Sequence, residues 1–502
     1  MLNNSWLVII LIIYLLALLF ILMYSIAQAY LTVSYLKANK KSSKQKPITA
    51  PNSQPHVTVQ LPIYNERYVA ERLIDAVASI DYPKDKLEIQ VLDDSTDDTV
   101  SIINDRLKYW KEKGLDIKQV RRKNRIGYKA GALREGLKTA KGELIAIFDA
   151  DFVPGKDFLS EVTPEFTSEH VGMVQTRWGH LNRNHSILTK AQAYTIDAHF
   201  RIEQTGRNCT GCFINFNGTA GVWRKQCIID AGNWQDDTLT EDLDLSYRAQ
   251  LKGWQFKYLE QTVAPAELPP VMSAVKSQQY RWNKGGAETA KKLWPKLLRA
   301  KLPFKVKWQG SFHLLNSAVY IAVIISALCS IPLLHFKQTF PAFKAMYGWL
   351  SIFLLSFIIV AWIFFIVGKQ YHINTKDLWK NYIKDFPLFL SVSMGLSLHN
   401  AIAVIEGYAG RKTPFIRTPK FNNNKEGNSY LQNKLTLIAL LELLLVFYFA
   451  YGVYYAFQTL DFTMFPFHLM LTVGFAIVSY YSIFHKEYSV SPETTDERTS
   501  IA

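Results

Sequence analysis

The sequence predicts an α/β domain inserted between the membrane-spanning helices of a multi-pass α-helical bundle, and three observations predict it. First, apolar residues are unevenly placed along the 502 residues. Positions 5–33 carry no charge, and 312–334, 346–368, 435–460 and 462–484 are almost as apolar. Each run exceeds the roughly 20 apolar residues that a spanning helix needs. Second, residues 50–300 hold most of the charge and lack any such run. Third, short β-rich runs alternate there with helix-like sequence, the pattern of βαβ units. The expected organisation is an N-terminal anchor (1–36), the α/β domain (50–300) and two spans (305–370). An interfacial helix with a basic loop (371–434), two further spans (435–486) and a tail (487–502) follow.

A signal peptide is the alternative for the first run. Its length exceeds a signal core and no basic residue precedes it, so a retained anchor is expected. Five lysines between positions 37 and 46 then place residues 50–300 in the cytoplasm and the N-terminus outside. The net charge of +15 fits basic segments lying against anionic headgroups. No nucleic-acid recognition motif appears, so that partner class is excluded. Four cysteines in so long a chain do not make a disulfide framework. Cys209 and Cys212 have CxxC spacing without a second ligand pair, so reduced packing thiols are expected rather than a zinc site. Positions 386–408 form one more apolar stretch, but it contains Ser391, Ser393, His399, Asn400 and Glu406. Were it to cross, Arg411, Lys412, Arg417, Lys420, Lys425 and Lys434 would lie outside, against the charge bias. Laid flat in the inner interface it keeps both basic loops inside, giving five spans.

Within the α/β domain, Val57 to Leu61 reads as a strand stopped by Pro62, and helix-like sequence follows to Ile80. A turn at Asp81, Tyr82 and Pro83 precedes a second strand, Leu87 to Leu92. Ligands of such units bind at the strands' carboxyl ends, where Asp93 and Asp94 stand. Those carboxylates suit a base N–H or a ribose hydroxyl; capping of the next helix by Ser95 and Asp97 is the equal alternative. Gly127, Tyr128, Lys129, Ala130, Gly131 and Ala132 form a small-residue helix start with one lysine, which favours phosphate only weakly by itself. The run from Glu143 to Phe148 reads as a buried parallel strand ending in Asp149, Ala150 and Asp151. Two aspartates so placed suit a divalent cation on a diphosphate, because Mg²⁺ takes one or two carboxylates plus phosphate oxygens. Thr240, Glu241 and Asp242 open a helical segment. They are either first-turn acids favoured by the helix dipole or the source of a general base for a sugar hydroxyl. Gln278, Gln279, Tyr280, Arg281 and Trp282 offer an arginine for a departing diphosphate and an indole face for a sugar.

In this order and spacing the clusters resemble the processive family 2 glycosyltransferases of the cellulose synthase superfamily. The surrounding text resembles most the cellulose-synthase-like A group, the mannan and glucomannan synthases. The matching stretches are Leu61-Pro62-Ile63-Tyr64-Asn65-Glu66-Arg67, Gln90-Val91-Leu92-Asp93-Asp94-Ser95-Thr96-Asp97 and Gly127-Tyr128-Lys129-Ala130-Gly131-Ala132-Leu133. Ile147-Phe148-Asp149-Ala150-Asp151-Phe152 and Phe216-Asn217-Gly218-Thr219-Ala220-Gly221-Val222-Trp223-Arg224 complete them. The likeness is dense over about 55–300.

The resemblance implies a GT-A (Rossmann-like) fold and an inverting hexosyltransferase using UDP-glucose or GDP-mannose. Asp93 or Asp94 would contact uracil or guanine, with Glu66, Lys129 and Asp149 also holding the donor. Asp149 and Asp151 would carry Mg²⁺ or Mn²⁺, and Asp242 would be the base. Glu241, Gln278, Gln279, Arg281 and Trp282 would line the leaving-group and acceptor ends. Phe415, Thr418 and Lys420 resemble a gating loop, with Arg417 where that family usually has a small apolar residue. The product would be a β-linked polysaccharide, elongated and exported; a glycolipid on diacylglycerol or polyprenyl phosphate is the alternative. An inactive transport subunit would not need the full acidic set. The expected location is the plasma (inner) membrane, with the catalytic domain cytoplasmic and membrane lipids as neighbours.

Overall fold

A computed structural model describes residues 5–42, 54–340, 348, 350–371, 375–413 and 436–484. Seven strands form one mixed sheet: β1 (Val57–Ile63), β2 (Leu87–Asp93), β3 (Asp116–Val120), β4 (Leu144–Ile147), β5 (Val171–His180), β6 (Gly221–Arg224) and β7 (Gln255–Ala266). Their order is β3-β2-β1-β4-β6-β5-β7. β1 pairs in parallel with β2 and β4, and β2 with β3. β6 is antiparallel to both its neighbours, while β5 and β7 are parallel to each other. Two reversals cancel, so β5 and β7 point the same way as β4. The carboxyl ends of β1, β2, β4, β5 and β7 therefore share one edge, and the cavity opens there.

The central strands are buried on both faces, as their near-continuous apolar sequence requires. One face packs Val59, Leu61, Ile89 and Val91 against Leu73, Ile74, Val77 and Ile103 from the flanking helices. The other packs Ile145, Ile147 and Trp223 against Leu133, Leu137, Trp234 and Leu245. The helix expected up to Ile80 closes at Ala70–Ala78, and the segment after Thr240 is helical over Glu241–Leu251.

Among the described residues, five helices are long and apolar enough to cross a membrane: Trp6–Lys40, Asn316–Thr339, Ser351–Lys369, Leu437–Thr459 and Phe465–Phe484. The stretch 386–408 is not one helix. It falls in two, Thr375–Gly395 and Ser397–Ala409, bent by 45° at the break. Their polar residues have protein partners. Asn400 Nδ2 donates to Gln279 Oε1 at 2.7 Å, His399 Nε2 lies 3.0 Å from the Lys276 carbonyl, and Glu406 accepts from the Tyr280 hydroxyl. These partners belong to the long helix Met272–Arg299, which lies between the α/β domain and the bundle. These three polar side chains thus make helix-to-helix contacts.

Candidate active site

Three parallel strand ends supply the first half of the site. After β1, Tyr64 and Glu66 face the cavity, and the loop is pinned to the β2 end: Asn65 N donates to Ser95 Oγ at 2.9 Å, and Thr96 N to Asn65 Oδ1 at 2.9 Å. Asp93 and Asp94 part company at the end of β2. Asp94 lines the cavity and is held by Arg122, whose Nε donates to Oδ1 at 2.8 Å. Asp93 is 1% exposed; its carboxylate accepts from Ser95 N at 2.8 Å, Gln119 Nε2 at 2.8 Å and Arg121 Nη1 at 3.1 Å. It closes the turn and does not line the cavity. Beyond β4, both Asp149 and Asp151 line the cavity, and Asp149 N donates to Thr219 Oγ1 at 2.9 Å.

Lys129 reaches across from the first turn of the Tyr128–Thr139 helix. Its Nζ donates to Asp149 Oδ1 at 2.5 Å and to the Gly218 carbonyl at 2.8 Å. Gly218 adopts φ +82°, a conformation that disfavours side chains. A Cβ there would stand 3.1 Å from Asp242 Oδ2 and 3.4 Å from Lys129 Nζ, so the loop passes directly over the base and the lysine.

The second half comes from helices. Glu241 and Asp242 form the first turn of Glu241–Leu251, where Asp242 Oδ1 accepts from Leu243 N at 2.8 Å. The Thr240 side chain makes no capping bond, so Asp242 meets a first-turn amide and also lines the cavity. Gln278, Arg281 and Trp282 line it from the Met272–Arg299 helix, and Trp282 is 40% exposed. Gln279, by contrast, points to Asn400. This helix is clamped to the loop preceding Asp242: Leu239 N donates to Glu288 Oε2 at 2.8 Å, and Lys292 Nζ to Asp237 Oδ1 at 2.8 Å. Gly285 permits the approach, since a Cβ would lie 2.6 Å from Thr240 Cγ2.

Burial pushes the Asp242 carboxyl up to about 7; Glu241 adds to the rise and Lys129 opposes it. Burial likewise raises Glu241 against the pull of Lys129. Desolvation alone would lower Lys129, but Asp149, Glu241 and Asp242 outweigh it and keep the ammonium charged. Burial lowers the Arg281 guanidinium from its usual value, while Asp149, Glu241, Asp151 and Glu66 pull it back. The chamber thus concentrates carboxylates around two cations, poised for a ligand that brings its own charge.

Of the residues expected from sequence, Glu66, Asp94, Lys129, Asp149, Asp151, Glu241, Asp242, Gln278, Arg281 and Trp282 converge on this cavity. Asp93 and Gln279 do not. Phe415, Thr418 and Lys420 lie outside the described residues. Sequence reasoning missed Arg125, whose guanidinium sits 3.3 Å from the Tyr64 ring centre, at the end of the cavity that holds Asp94. It also missed His180 and Asn217; the strand-end rule that found Asp149 would have found His180.

Residues 55–285 match the family described as "Glycosyltransferase like family 2". The probable glucomannan 4-beta-mannosyltransferase 11 of Oryza sativa subsp. japonica is 43% identical over 275 residues, 54% of this chain and 48% of that protein. Glucomannan 4-beta-mannosyltransferase 2 of Arabidopsis thaliana is 41% identical over 277 residues, 54% of this chain and 51% of that protein. The probable glucomannan 4-beta-mannosyltransferase 6 of Oryza sativa subsp. japonica is 37% identical over 379 residues, covering 74% and 64%. The chain spans about half the length of the first two relatives and under two thirds of the third. A mannosyltransferase from Pyrobaculum calidifontis, solved in complex with GDP-Man and Mn²⁺, shares the fold. It aligns with a TM-score of 0.53 at 18% identity, covering 80% of this chain and 100% of that one. Residues 55–285 thus match the family 2 glycosyltransferases in sequence and share the fold of that mannosyltransferase, and they are joined to helices long and apolar enough to cross a membrane.

Proposed function

We propose that this chain is a membrane-embedded inverting mannosyltransferase that moves mannose from GDP-mannose to the end of a β-linked glycan on the cytoplasmic side. One observation carries the chemistry: Asp242 lines the cavity that also holds Asp149, Lys129 and Arg281, with its carboxyl pushed up to about 7. A base whose pKa sits near the working pH is the efficient choice for general-base catalysis. The acceptor hydroxyl gives its proton to Asp242 as its oxygen bonds to the anomeric carbon. The bond from that carbon to the diphosphate oxygen breaks, and the diphosphate leaves with the electron pair. A single displacement inverts the sugar and needs no protein nucleophile. Lys129 and Arg281 stand where negative charge develops on the leaving group.

Asp149 and Asp151 fit a divalent cation. Among the described residues no three His, Cys, Asp or Glu side chains converge to hold a metal by themselves. That donor set is what a cation bound chiefly through phosphate oxygens uses. When bound it would neutralise the departing diphosphate as a Lewis acid. Lys129 Nζ, held between Asp149 Oδ1 and the Gly218 carbonyl, would add its positive charge beside a diphosphate bound there.

The choice of mannose rests on the names of the relatives, and that of guanosine diphosphate on the ligand of the structural neighbour. UDP-glucose is the competing donor. Membranes carrying the full chain, offered radiolabelled GDP-mannose and UDP-glucose in turn, decide it, with linkage analysis of the product. Polymeric β-mannan is expected from GDP-mannose. A single-sugar lipid would overturn the polysaccharide reading, and unchanged synthesis by Asp242→Asn would overturn the assignment of the base.

A further inference from the structure

One titratable side chain in the cavity wall has no part in this displacement: His180, the last residue of β5. Sheet order says which end of the cavity it occupies. Asp94 follows β2, Asp149 and Asp151 follow β4, and β5 lies two strands further on. His180 therefore stands on the side of the Asp149 strand away from Asp94. A donor whose base lies toward β2 and whose diphosphate lies at β4 leaves the β5 end to the sugar being extended.

The imidazole is held in one orientation. Its Nε2 lies 3.0 Å from Asp197 Oδ1, and Asp197 also accepts from Arg183. Asp197 is 1% exposed and bonded to these two donors, so it acts only as an acceptor. Nε2 must then carry a proton, and in the neutral ring Nδ1 keeps its lone pair. Nδ1 has no hydrogen-bond partner among the described residues, and the ring lines the cavity. Arg183 is braced in turn, with its guanidinium 3.6 Å from the ring centre of Tyr371, just past the Ser351–Lys369 span. Two residues earlier on the same face of β5, Trp178 lines the cavity and packs edge-on against Phe152, ring centres 5.2 Å apart. An indole and a fixed hydrogen-bond acceptor side by side suit a pyranose, which has an apolar face and a rim of hydroxyls.

We propose that His180 is a specificity-determining contact for the acceptor sugar, its Nδ1 accepting a hydrogen bond from a hydroxyl of the residue being extended. This rests on the glycan-transfer reading above. The test uses the full chain in detergent with β-1,4-linked mannotetraose as probe. Its binding is followed by tryptophan fluorescence in the presence of GDP and Mn²⁺, alongside initial rates with GDP-mannose. In His180→Phe the mannotetraose Kd and acceptor KM rise about three- to tenfold, the worth of one hydrogen bond. The donor KM stays within twofold, and His180→Gln, whose amide oxygen can accept, recovers most of the loss. His180→Met tests the same loss if the Phe variant does not fold. Donor and acceptor KM rising together, or neither moving, in a variant that melts with the wild type overturns the proposal. A wild-type chain that neither transfers mannose nor binds mannotetraose overturns the glycan-transfer reading and the role of His180 with it. Equal mannotetraose binding by wild type and variant overturns the role of His180 alone.

Discussion

Asp149 and Arg281 face the same cavity but are held there by different means. Asp149 ends a strand buried on both faces, and its place follows from a parallel ladder whose register with β1 runs from Val57–Leu144 to Gln60–Ile147. Arg281 stands on a helix that belongs to no sheet. Its position depends on Gly285 against Thr240, on Glu288 against Leu239, and on Gln279, Tyr280 and Lys276 against the Ser397–Ala409 helix. The donor half of the site is thus built on a rigid scaffold, as is His180 beside it, and the half that carries Gln278, Arg281 and Trp282 is hung between that scaffold and the bundle. Changes to the first half should remove donor and metal binding outright. Changes to the second should leave donor binding and spoil alignment.

The largest effect is expected at Asp149. Asp149→Asn removes a carboxylate from the proposed metal pair and the partner of Lys129. Activity should fall about a thousandfold, because the charge that stabilises the leaving diphosphate is lost with it. The stabilisation of wild-type enzyme by GDP with Mn²⁺ in a thermal melt should vanish too. A variant that still responds to Mn²⁺ and GDP would put the metal elsewhere.

Gly285→Leu probes the hung half. Even a Cβ would lie 2.8 Å from the Thr240 backbone nitrogen, so the helix must move away from Asp242. A displacement near 1 Å costs about a hundredfold in rate when alignment limits it. The kcat should fall by that order while GDP affinity, measured by calorimetry, is preserved. If both fall together, the two halves are one rigid unit.

How much of this was legible beforehand divides along the same line. Glu143 to Phe148 is apolar, short and followed by Asp149 and Asp151, and both strand and strand-end site could be read from those residues. β6 could not: Gly221–Arg224 is only 4 residues long, and its pairing with β4 is a long-range, antiparallel contact that periodicity does not encode. Asp93 and Asp94 looked equivalent in sequence, and Gln119 and Arg121 on the neighbouring β3 segment decided which one turned inward. Gln278 and Gln279 were likewise separated only by the arrival of Asn400. The contacts of His399, Asn400 and Glu406 were illegible because their partners, on Met272–Arg299, lie more than a hundred positions away.

The pH profile offers a smaller effect with a definite sign. The Asp242 carboxyl is raised to about 7 by burial and by Glu241, and the base must be ionised to take the acceptor proton. Activity is therefore present above that value and falls as pH drops through it, by about tenfold per unit. A kcat/KM profile flat down to pH 5 would mean that a base with an ordinary carboxylate pKa, or none, governs the step.

The smallest effect tests the far end of the suspension. Asn400 is fully buried, and its Nδ2 donates to Gln279 Oε1 on the turn that carries Gln278, Arg281 and Trp282. Asn400→Leu keeps the volume and removes the donor, leaving the Gln279 oxygen to find another partner or none. A buried polar group stripped of its bond costs about 1–3 kcal/mol, part of which relaxes by a shift of the helix. The outcome expected is a three- to tenfold lower kcat, a small fall in melting temperature and unchanged GDP binding. Asn400→Leu combined with Gln279→Leu removes both polar groups and should restore stability without restoring rate. The pair then packs again, but the helix has lost the bond that set its height over the cavity. If the double variant recovers rate as well as stability, packing alone sets that height, and the polar contacts between this helix and Ser397–Ala409 do not align Arg281.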